Sequence, residues 1–302
     1  MPDLSEFINF IAVKSGINKP DLIEKDLIIH RILKELFSSP HFAENYLFKG
    51  GSCLVKCYFG YYRFSVDLDF TWKNQKTWKS LRKKELRKKL LEETNIFGSL
   101  LEEICKEINL EFENDPKNNK YFEFGGGSRM VTFKLWKNSE LIKIQVNYVE
   151  EILFPFKKVF ARTLLNHVEI KENEKVYFDD FLGFYKPLEL YAYDEREILC
   201  EKVRAILTRR AQKLRDFYDL FILDRHGFKP ENLKNEIIRK TKACLRYKKY
   251  RENLEKNRES LDIEDVLNDA YERSLFVLKP AKNFEGFLNK FLIILKDIME
   301  NV

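Results

Sequence analysis

Two aspartates separated by one residue carry the clearest chemistry in the sequence. Asp67 and Asp69 lie in residues 64–72, where apolar and polar side chains alternate as on a strand with one packed face. Side chains two apart on a strand project from the same face, so both carboxylates point the same way. Hard oxygen ligands at that spacing can share Mg²⁺, which would neutralise a triphosphate and assist in-line attack on its α-phosphorus.

The alternative for the two aspartates is the solvated face of an amphipathic strand. Aspartate is a poor strand former, however, so two aspartates in an otherwise good strand go against the local strand propensity. Such conflicts often mark functional positions. The pattern therefore favours a metal site.

A glycine turn precedes the aspartates. Gly50, Gly51 and Ser52 stand at the predicted start of a helix, with fourteen residues between Ser52 and Asp67. Glycines let backbone approach a ligand closely, and a helix start offers free N–H groups to phosphate. An ordinary loop with a serine N-cap is the alternative. Together with the aspartates, the turn predicts a nucleotide site.

These segments resemble the AbiEii/AbiGii toxin family of nucleotidyltransferases, within the DNA polymerase β-like nucleotidyltransferase superfamily. The stretches that carry the resemblance occur in the family's order between about residues 20 and 225. They are 48–52 (Phe-Lys-Gly-Gly-Ser), 63–70 (Arg-Phe-Ser-Val-Asp-Leu-Asp-Phe), 24–26 (Glu-Lys-Asp), 201–205 (Glu-Lys-x-x-Ala) and 215–220 (Arg-Asp-x-Tyr-Asp-Leu). The resemblance implies an α+β fold: a polymerase β-like domain with a small mixed sheet, then a helical C-terminal domain.

The resemblance also implies roles for particular residues. It places Asp67 and Asp69 on the metal and makes them catalytic together with Lys202 and Asp216, the latter as base or organiser of the acceptor. The residues that it implies for nucleotide binding are Lys49, Gly51, Ser52, Ser65, Lys202 and Arg209.

Helical spacing bears on the C-terminal motif residues independently. Lys202 and Arg209 are seven apart, and Asp216 and Asp219 three apart, so each pair shares a helix face. The alternative for Lys202 is a solvated lysine, and for Asp219 an ion pair with Arg215.

One position departs from the superfamily pattern. Many relatives carry a third carboxylate on a neighbouring strand, and Gln145 occupies the matching position in the strand predicted near 141–148. Glutamine is not a general base. Two alternatives follow. Either Asp67 and Asp69 suffice for catalysis with the help of Asp216, or the activity is reduced.

Two basic runs are candidate RNA-binding surfaces. From them we select Arg82, Lys83, Arg87, Lys88, Arg246 and Lys249 as RNA contacts. The second run spans residues 239–251 and includes Lys240, Tyr247 and Tyr250. A solvated helix face is the generic alternative.

The resemblance implies an NTP substrate, an RNA acceptor such as the 3′ end of tRNA, and a cognate antitoxin in an abortive-infection toxin–antitoxin system. A small-molecule or protein acceptor, or a non-catalytic nucleotide-binding module, remains open.

Bulk properties set the frame. The chain has 302 residues, a net charge of +6 and five scattered cysteines, which argues against a disulfide scaffold. Neither a signal peptide nor a membrane span is visible, so a cytoplasmic protein is expected.

The change from mixed to helical pattern predicts two domains. An α/β nucleotidyltransferase domain is expected over 1–155, and a mainly helical domain that completes the active-site cleft is expected over 156–302. Residues 125–128 lack the Lys-Ser/Thr of a P-loop and predict a turn.

Overall fold

The computed structural model describes residues 2–126, 128–261 and 263–302. These residues form two compact units. The first contains the chain up to Glu150 together with Lys157–Ala192, and the second contains Glu151–Phe156 together with Tyr193–Val302. The turn predicted at 125–128 includes Gly127, which lies outside the described residues.

The first unit is built on one seven-stranded mixed sheet of order β3-β4-β5-β2-β1-β7-β6. Its strands are β1 Tyr46–Lys49, β2 Asp67–Trp72, β3 Phe122–Gly125, β4 Met130–Lys137, β5 Glu140–Asn147, β6 Lys157–Ala161 and β7 Leu188–Ala192. The central β2 runs antiparallel to β1 and parallel to β5. Both neighbours therefore hold β2 in a fixed register.

Eight helices belong to the same unit among its described residues. They are α1 Leu4–Ser15, α2 Pro20–Ser38, α3 Pro40–Asn45, α4 Gly50–Cys53, α5 Lys76–Lys79, α6 Lys83–Glu107, α7 Glu172–Tyr177 and α8 Asp179–Phe184. A π-helical turn, Leu54–Phe59, continues α4. Such turns are rare and are frequent at functional sites.

The core of the sheet unit is aromatic. Phe42 stacks on Tyr46 with ring centroids 4.5 Å apart, and Phe97 packs on Phe133 at 4.7 Å. Phe70 of β2 meets Phe42 edge-on at 5.0 Å. Large buried rings supply most of the apolar area that drives folding, and this core fixes the packed face of β2.

The second unit is helical in its described part. Its helices are α9 Glu195–Thr208, α10 Leu214–Arg225, α11 Lys234–Cys244, α12 Lys248–Glu259, α13 Glu264–Asn268, α14 Ala270–Ser274 and α15 Phe284–Asn301, with a 3₁₀ turn at Pro230–Leu233. Asn257 of α12 places its amide nitrogen 2.9 Å from the carbonyls of Leu207 and Arg209. These carbonyls at the end of α9 lack helical partners, so Asn257 fixes where α9 ends.

The segment 151–156 is tied to the helical unit by a buried charge cluster. Glu197 accepts hydrogen bonds from the backbone N–H groups of Leu153 and Phe154, each at 2.8 Å. Lys240 lies 2.6 Å from Glu197 and 3.3 Å from Glu201. Lys240 is therefore a buried structural cation and does not belong to a basic surface, contrary to its place in the second basic run.

Several sequence-based boundaries change in the structure. The strand expected over 64–72 begins at Asp67, and the helix expected over 76–108 is broken between α5 and α6. The sheet has more strands than expected. Strands β1 and β6 were not predicted, because they are too short to show an alternating pattern. All five cysteines are free and buried, as expected. Within the described residues, no helix has both the length and the apolar character that crossing a bilayer requires.

A buried polar network links α2 to the π-helical turn. Lys56 lies 2.7 Å from Asp26, and the hydroxyls of Tyr61 and Tyr185 donate to the same carboxylate at 2.9 and 2.7 Å. Burial, and then the charge of Asp26, raises the pKa of both tyrosines well above the usual value, so they remain donors. Asp26 thus has three partners, which offset the cost of burying its charge.

His30 lies beside this network as a neutral ring. Burial, and then the charge of Lys56, lowers the pKa of His30 to about 3. Its Nε2–H therefore donates to the carbonyl of Lys186 at 2.8 Å. His30 acts here as a structural residue of the core.

Replacing Asp26 with Asn is expected to destabilise the protein by about 3–5 kcal/mol, because Lys56 loses its buried counter-charge. Urea denaturation at pH 7 measures the change. Asp21→Asn on the exposed face of the same helix is the control, with an expected cost below about 1 kcal/mol. Equal stability of the two variants would refute the assignment of Asp26 as a structural counter-ion.

Candidate active site

The glycine turn begins where β1 ends. Lys49 is the last residue of β1, and Gly50 has φ +77°, a value that non-glycine residues rarely adopt. The chain then enters α4 and the π-helical turn. The backbone N–H groups of the first turn have no helical acceptors and are suited to an anion.

Asp69 packs directly against this turn. It lies opposite Lys49 in the antiparallel β1–β2 pair. A Cβ added to Gly50 would lie 2.9 Å from Asp69 Cγ and 3.0 Å from Asp69 Cβ. Rotation of the carboxylate cannot relieve a clash with its own Cβ. The approach therefore requires a residue without a side chain at position 50.

Ser52 joins the turn to the start of β2. Its hydroxyl oxygen contacts the carbonyl of Asp67 and lies 2.7 Å from the hydroxyl of Ser65. Because a carbonyl only accepts, the Ser52 proton goes to Asp67, and Ser65 can donate to Ser52. Ser52 is fully buried. Its hydroxyl thus aligns the turn with the aspartate strand, and a phosphate would meet the backbone of the turn.

Arg63 places a buried positive charge beneath the turn. Its side chain is 1% exposed and donates to the carbonyl of Phe64 at 2.8 Å. A Cβ on Gly51 would collide with the guanidinium, whose Cζ would be 3.4 Å away. The Arg63 guanidinium is therefore packed closely against Gly51. Arg63 is the first residue of the motif at 63–70, but its burial beneath the turn was not expected from the sequence.

The aspartates offer a partial metal site. Asp67 and Asp69 are half-buried, while Leu68 and Phe70 between and after them are fully buried. Within the described residues no cluster of three or more His, Cys, Asp or Glu side chains forms a metal site. Two carboxylates completed by substrate phosphates are a common way to hold Mg²⁺, so the residues present fit that ion.

Gln145 lies directly beside Asp69. The parallel register of β2 and β5 pairs Asp69 with Gln145 and Asp67 with Lys143. The strand neighbour of Asp69 is thus a neutral amide, at the position where the sequence analysis expected a third carboxylate in many superfamily relatives.

Lys49 is almost fully buried at the end of β1. Its ammonium lies 3.7 Å from Glu150, whose carboxylate also accepts from the side-chain amide of Asn147 at 3.1 Å. Glu150 is an acidic residue near the strand ends that the sequence analysis missed, since no motif contains it. Lys49 is therefore already paired with a carboxylate.

The helical unit brings its predicted residues together around Lys202. Lys202 lies 2.7 Å from Asp216 and 2.6 Å from Asp219, and Arg209 pairs with the second oxygen of Asp216. Asp216 and Asp219 share a face of α10, as expected. Arg209 does not share a helix face with Lys202, because α9 ends at Thr208 and Arg209 is extended; it reaches the cluster through Asp216. Arg215 lies 3.0 Å from Glu272.

Asp216 is held ionised. Burial favours its neutral form, but the charges of Lys202 and Arg209 outweigh burial and hold the pKa of Asp216 well below its usual range. A carboxylate with so low a pKa is a weak proton acceptor at neutral pH. Asp216 is better suited to positioning Lys202 and Arg209 than to acting as a base.

The basic candidates for RNA contact are exposed. They comprise Arg82, Lys83, Arg87, Lys88, Arg246 and Lys249. The first four flank the buried residues Leu86 and Leu90 of α6, as on any amphipathic helix. Their exposure fits both RNA contact and a solvated helix face.

Comparison with known families decides the relationship. The family described as "Nucleotidyl transferase AbiEii toxin, Type IV TA system" matches residues 31–291. The chain belongs to this family. The matched segment of the AbiEii protein contains the glycine turn, both strand aspartates and the Lys202 cluster, whereas Asp26 precedes it.

A solved structure has a similar fold. The AbiEii protein resembles the nucleotidyltransferase toxin MenT4 from Mycobacterium tuberculosis H37Rv, with a TM-score of 0.53 and 19% identity. The alignment covers 98% of this chain and 90% of MenT4. At that identity the likeness shows a shared fold. A comparison with curated proteins found no match.

Gly50→Ala is expected to lower the rate of nucleotide transfer at least ~10-fold, because the new Cβ displaces Asp69. Gly60→Ala is a matched control: Gly60 also has φ +77°, but its Cβ would meet no atom within 4 Å. Both variants should lose about 1–3 kcal/mol through backbone strain. Transfer rates are compared per folded molecule, and equal rates would contradict the proposed contact.

Asp216→Asn is expected to remove a pH-dependent part of the stability. The depressed pKa of Asp216 adds stability above the unfolded carboxyl pKa of about 3.9, and this is lost as pH falls towards the folded value. The difference in unfolding free energy between wild type and variant should be constant from about pH 7 to 5 and shrink below about pH 4. Denaturant titrations across this range measure it, and a constant difference down to pH 2 would refute the ionised assignment.

Proposed function

We propose that this AbiEii toxin transfers a nucleotide from an NTP to an RNA acceptor, the 3′ end of tRNA, with Mg²⁺ as the cofactor. Membership of the family supplies the coarser activity, a nucleotidyltransferase toxin of a type IV toxin–antitoxin system. One observation carries the finer proposal: Asp69 packs on the Gly50 turn, and Asp67, two residues before it, lies on the same strand face.

Asp67 and Asp69 would hold Mg²⁺, which supplies charge neutralisation for the triphosphate when bound. The N–H of Gly51 would bind a phosphate oxygen, whereas the fully buried Ser52 would act by holding the turn in place. Arg63 beneath Gly51 adds positive potential there. Ser52 keeps the turn in line with β2 through Ser65 and Asp67. In-line transfer depends mainly on this positioning and charge balance.

In the helical unit we propose Lys202 and Arg209 as the phosphate-binding residues. Arg209 is the accessible member, with 43% of its side chain exposed, while Lys202 is nearly buried between two aspartates. Asp216 and Asp219 orient these cations. In keeping with its low pKa, Asp216 acts by positioning them.

A non-catalytic nucleotide-binding protein is the second candidate. Gln145 beside Asp69 favours it, because the amide cannot take the proton of an incoming hydroxyl. Family membership favours the enzyme. The two candidates differ in whether label is transferred from NTP at all.

Asp67→Asn and Asp69→Asn are each expected to lower transfer at least ~100-fold, since each removes one metal ligand. Each labelled NTP is incubated with Mg²⁺ and total tRNA, and label on RNA is counted. Glu123→Gln is the control, because Glu123 lies on β3 of the same sheet with its side chain 66% exposed.

Three results would count against the proposal. No transfer from any NTP by the wild type would favour the non-catalytic protein. Equal transfer by the wild type and both aspartate variants would refute the assignment of Asp67 and Asp69 as metal ligands. Transfer only to a small molecule or protein would show that RNA is not the acceptor.

A further inference from the structure

The helical unit contains a cleft that the proposed transfer does not use. It lies between the end of α10, the 3₁₀ turn Pro230–Leu233 and the first turns of α15, and we call it the α10–α15 cleft. Its volume is about 430 Å³. That falls in the range of small-molecule and single-nucleotide sites.

Basic side chains dominate the rim of the α10–α15 cleft. Four cations line it, Arg225, Lys229, Lys282 and Lys290, against the carboxylates of Asp224 and Glu231. Among the described residues, none of the four cations lies within ion-pair distance of a carboxylate. The lining thus has a formal surplus of two positive charges, which suits an anionic ligand.

The charges of the cleft act on one another. Burial and then Glu231 raise the pKa of Asp224, whereas Lys229 and Lys290 lower it. The lysines and carboxylates therefore share one small volume. A phosphate would gain from the lysines and be opposed by the two acids, so removing the acids should strengthen its binding.

One wall of the cleft is aromatic. The rings of Phe287 and Phe291 are stacked, with centroids 5.5 Å apart and planes within 8°. Phe287 is partly exposed, and Arg225 lies over the ring of Phe221 at 5.8 Å. A partly exposed ring beside lysines is a combination with which proteins bind an unpaired base and its phosphates.

A glycine keeps the cleft open. Gly286 lies on α15 and lines the cleft, and a Cβ added there would meet no atom within 4 Å. A larger side chain at this position of the lining can therefore be accommodated without displacing the helix. Glycine inside a helix destabilises the helix by up to about 1 kcal/mol relative to alanine. Gly286 thus leaves space at the cleft at some cost in helix stability.

We propose that the α10–α15 cleft holds one unpaired nucleotide of an RNA strand, with phosphates on Lys229, Lys282 and Lys290 and the base on Phe287. The inference rests on the proposed function in taking RNA as the acceptor. An acidic peptide would satisfy the lysines but would offer no planar group to the partly exposed Phe287, so the RNA strand fits better.

The test measures binding of a fluorescent single-stranded RNA octamer to the full-length chain carrying Asp67→Asn and Asp69→Asn, which prevents turnover. Gly286→Leu should weaken binding at least ~10-fold by filling the cleft. Gly183→Leu is the matched control, since Gly183 is also helical with open space around its Cβ, but lies on α8. It should bind like the parent.

Charge variants test the phosphate contacts. Replacing Lys229, Lys282 and Lys290 with Ala should lower the slope of log affinity against log salt by about 2, at about 0.7 per phosphate contact. The exposed lysines Lys76, Lys79 and Lys117, replaced together, are the charge-matched control and should leave the slope unchanged. Asp224→Asn with Glu231→Gln should tighten binding.

Several outcomes would overturn the inference. These are parent-like binding by Gly286→Leu and the lysine variant, equal binding of an abasic octamer, equal competition by poly-glutamate, or equal affinity for a free mononucleotide. Failure of the proposed function is separable, because RNA binding that depends on the α10–α15 cleft can persist in a protein that transfers no label.

Discussion

The close approach of Asp69 to Gly50 is the constraint on which the candidate site depends. A strand aspartate can lie against the start of a helix only if the residue there has no side chain and tolerates positive φ. Gly50 satisfies both conditions. The contact places a carboxylate beside backbone N–H groups, which is where a metal ion and a phosphate can be held together.

The sheet supports this contact through register. β2 is central, and its pairing with β1 and β5 sets Asp69 opposite Lys49 on one side and Gln145 on the other. A slip of one residue would turn both aspartates into the aromatic core and Leu68 and Phe70 out of it. The energetic cost of that slip is what keeps the two carboxylates on the open face.

Buried charges elsewhere are balanced within compact clusters. Lys56 is paired with Asp26 in the sheet unit, and Lys202 is paired with Asp216 and Asp219 in the helical unit. Each cluster joins two different helical segments, and breaking one leaves an uncompensated charge in a low-dielectric interior. Arg209 and the cations of the α10–α15 cleft differ, because their charges reach solvent and remain available to ligands.

The sequence by itself determined the local features of this protein. Alternation in residues 64–72 predicted a strand with Asp67 and Asp69 on one face, and the motif order predicted the AbiEii family, which the family match confirms. Helical spacing predicted that Asp216 and Asp219 share a face, whereas Arg209, expected on one face with Lys202, lies beyond the end of α9. These features depend on contacts within a few residues, which periodicity reports directly.

Only the tertiary structure decided the rest. Strands β1 and β6 have four and five residues and too little pattern to be recognised alone. Arg63 and Lys240 look like ordinary surface cations in the sequence, and their burial follows from long-range packing. The α10–α15 cleft likewise combines residues more than fifty positions apart. Proximity in space is set by how elements pack, and a single sequence carries no direct record of it.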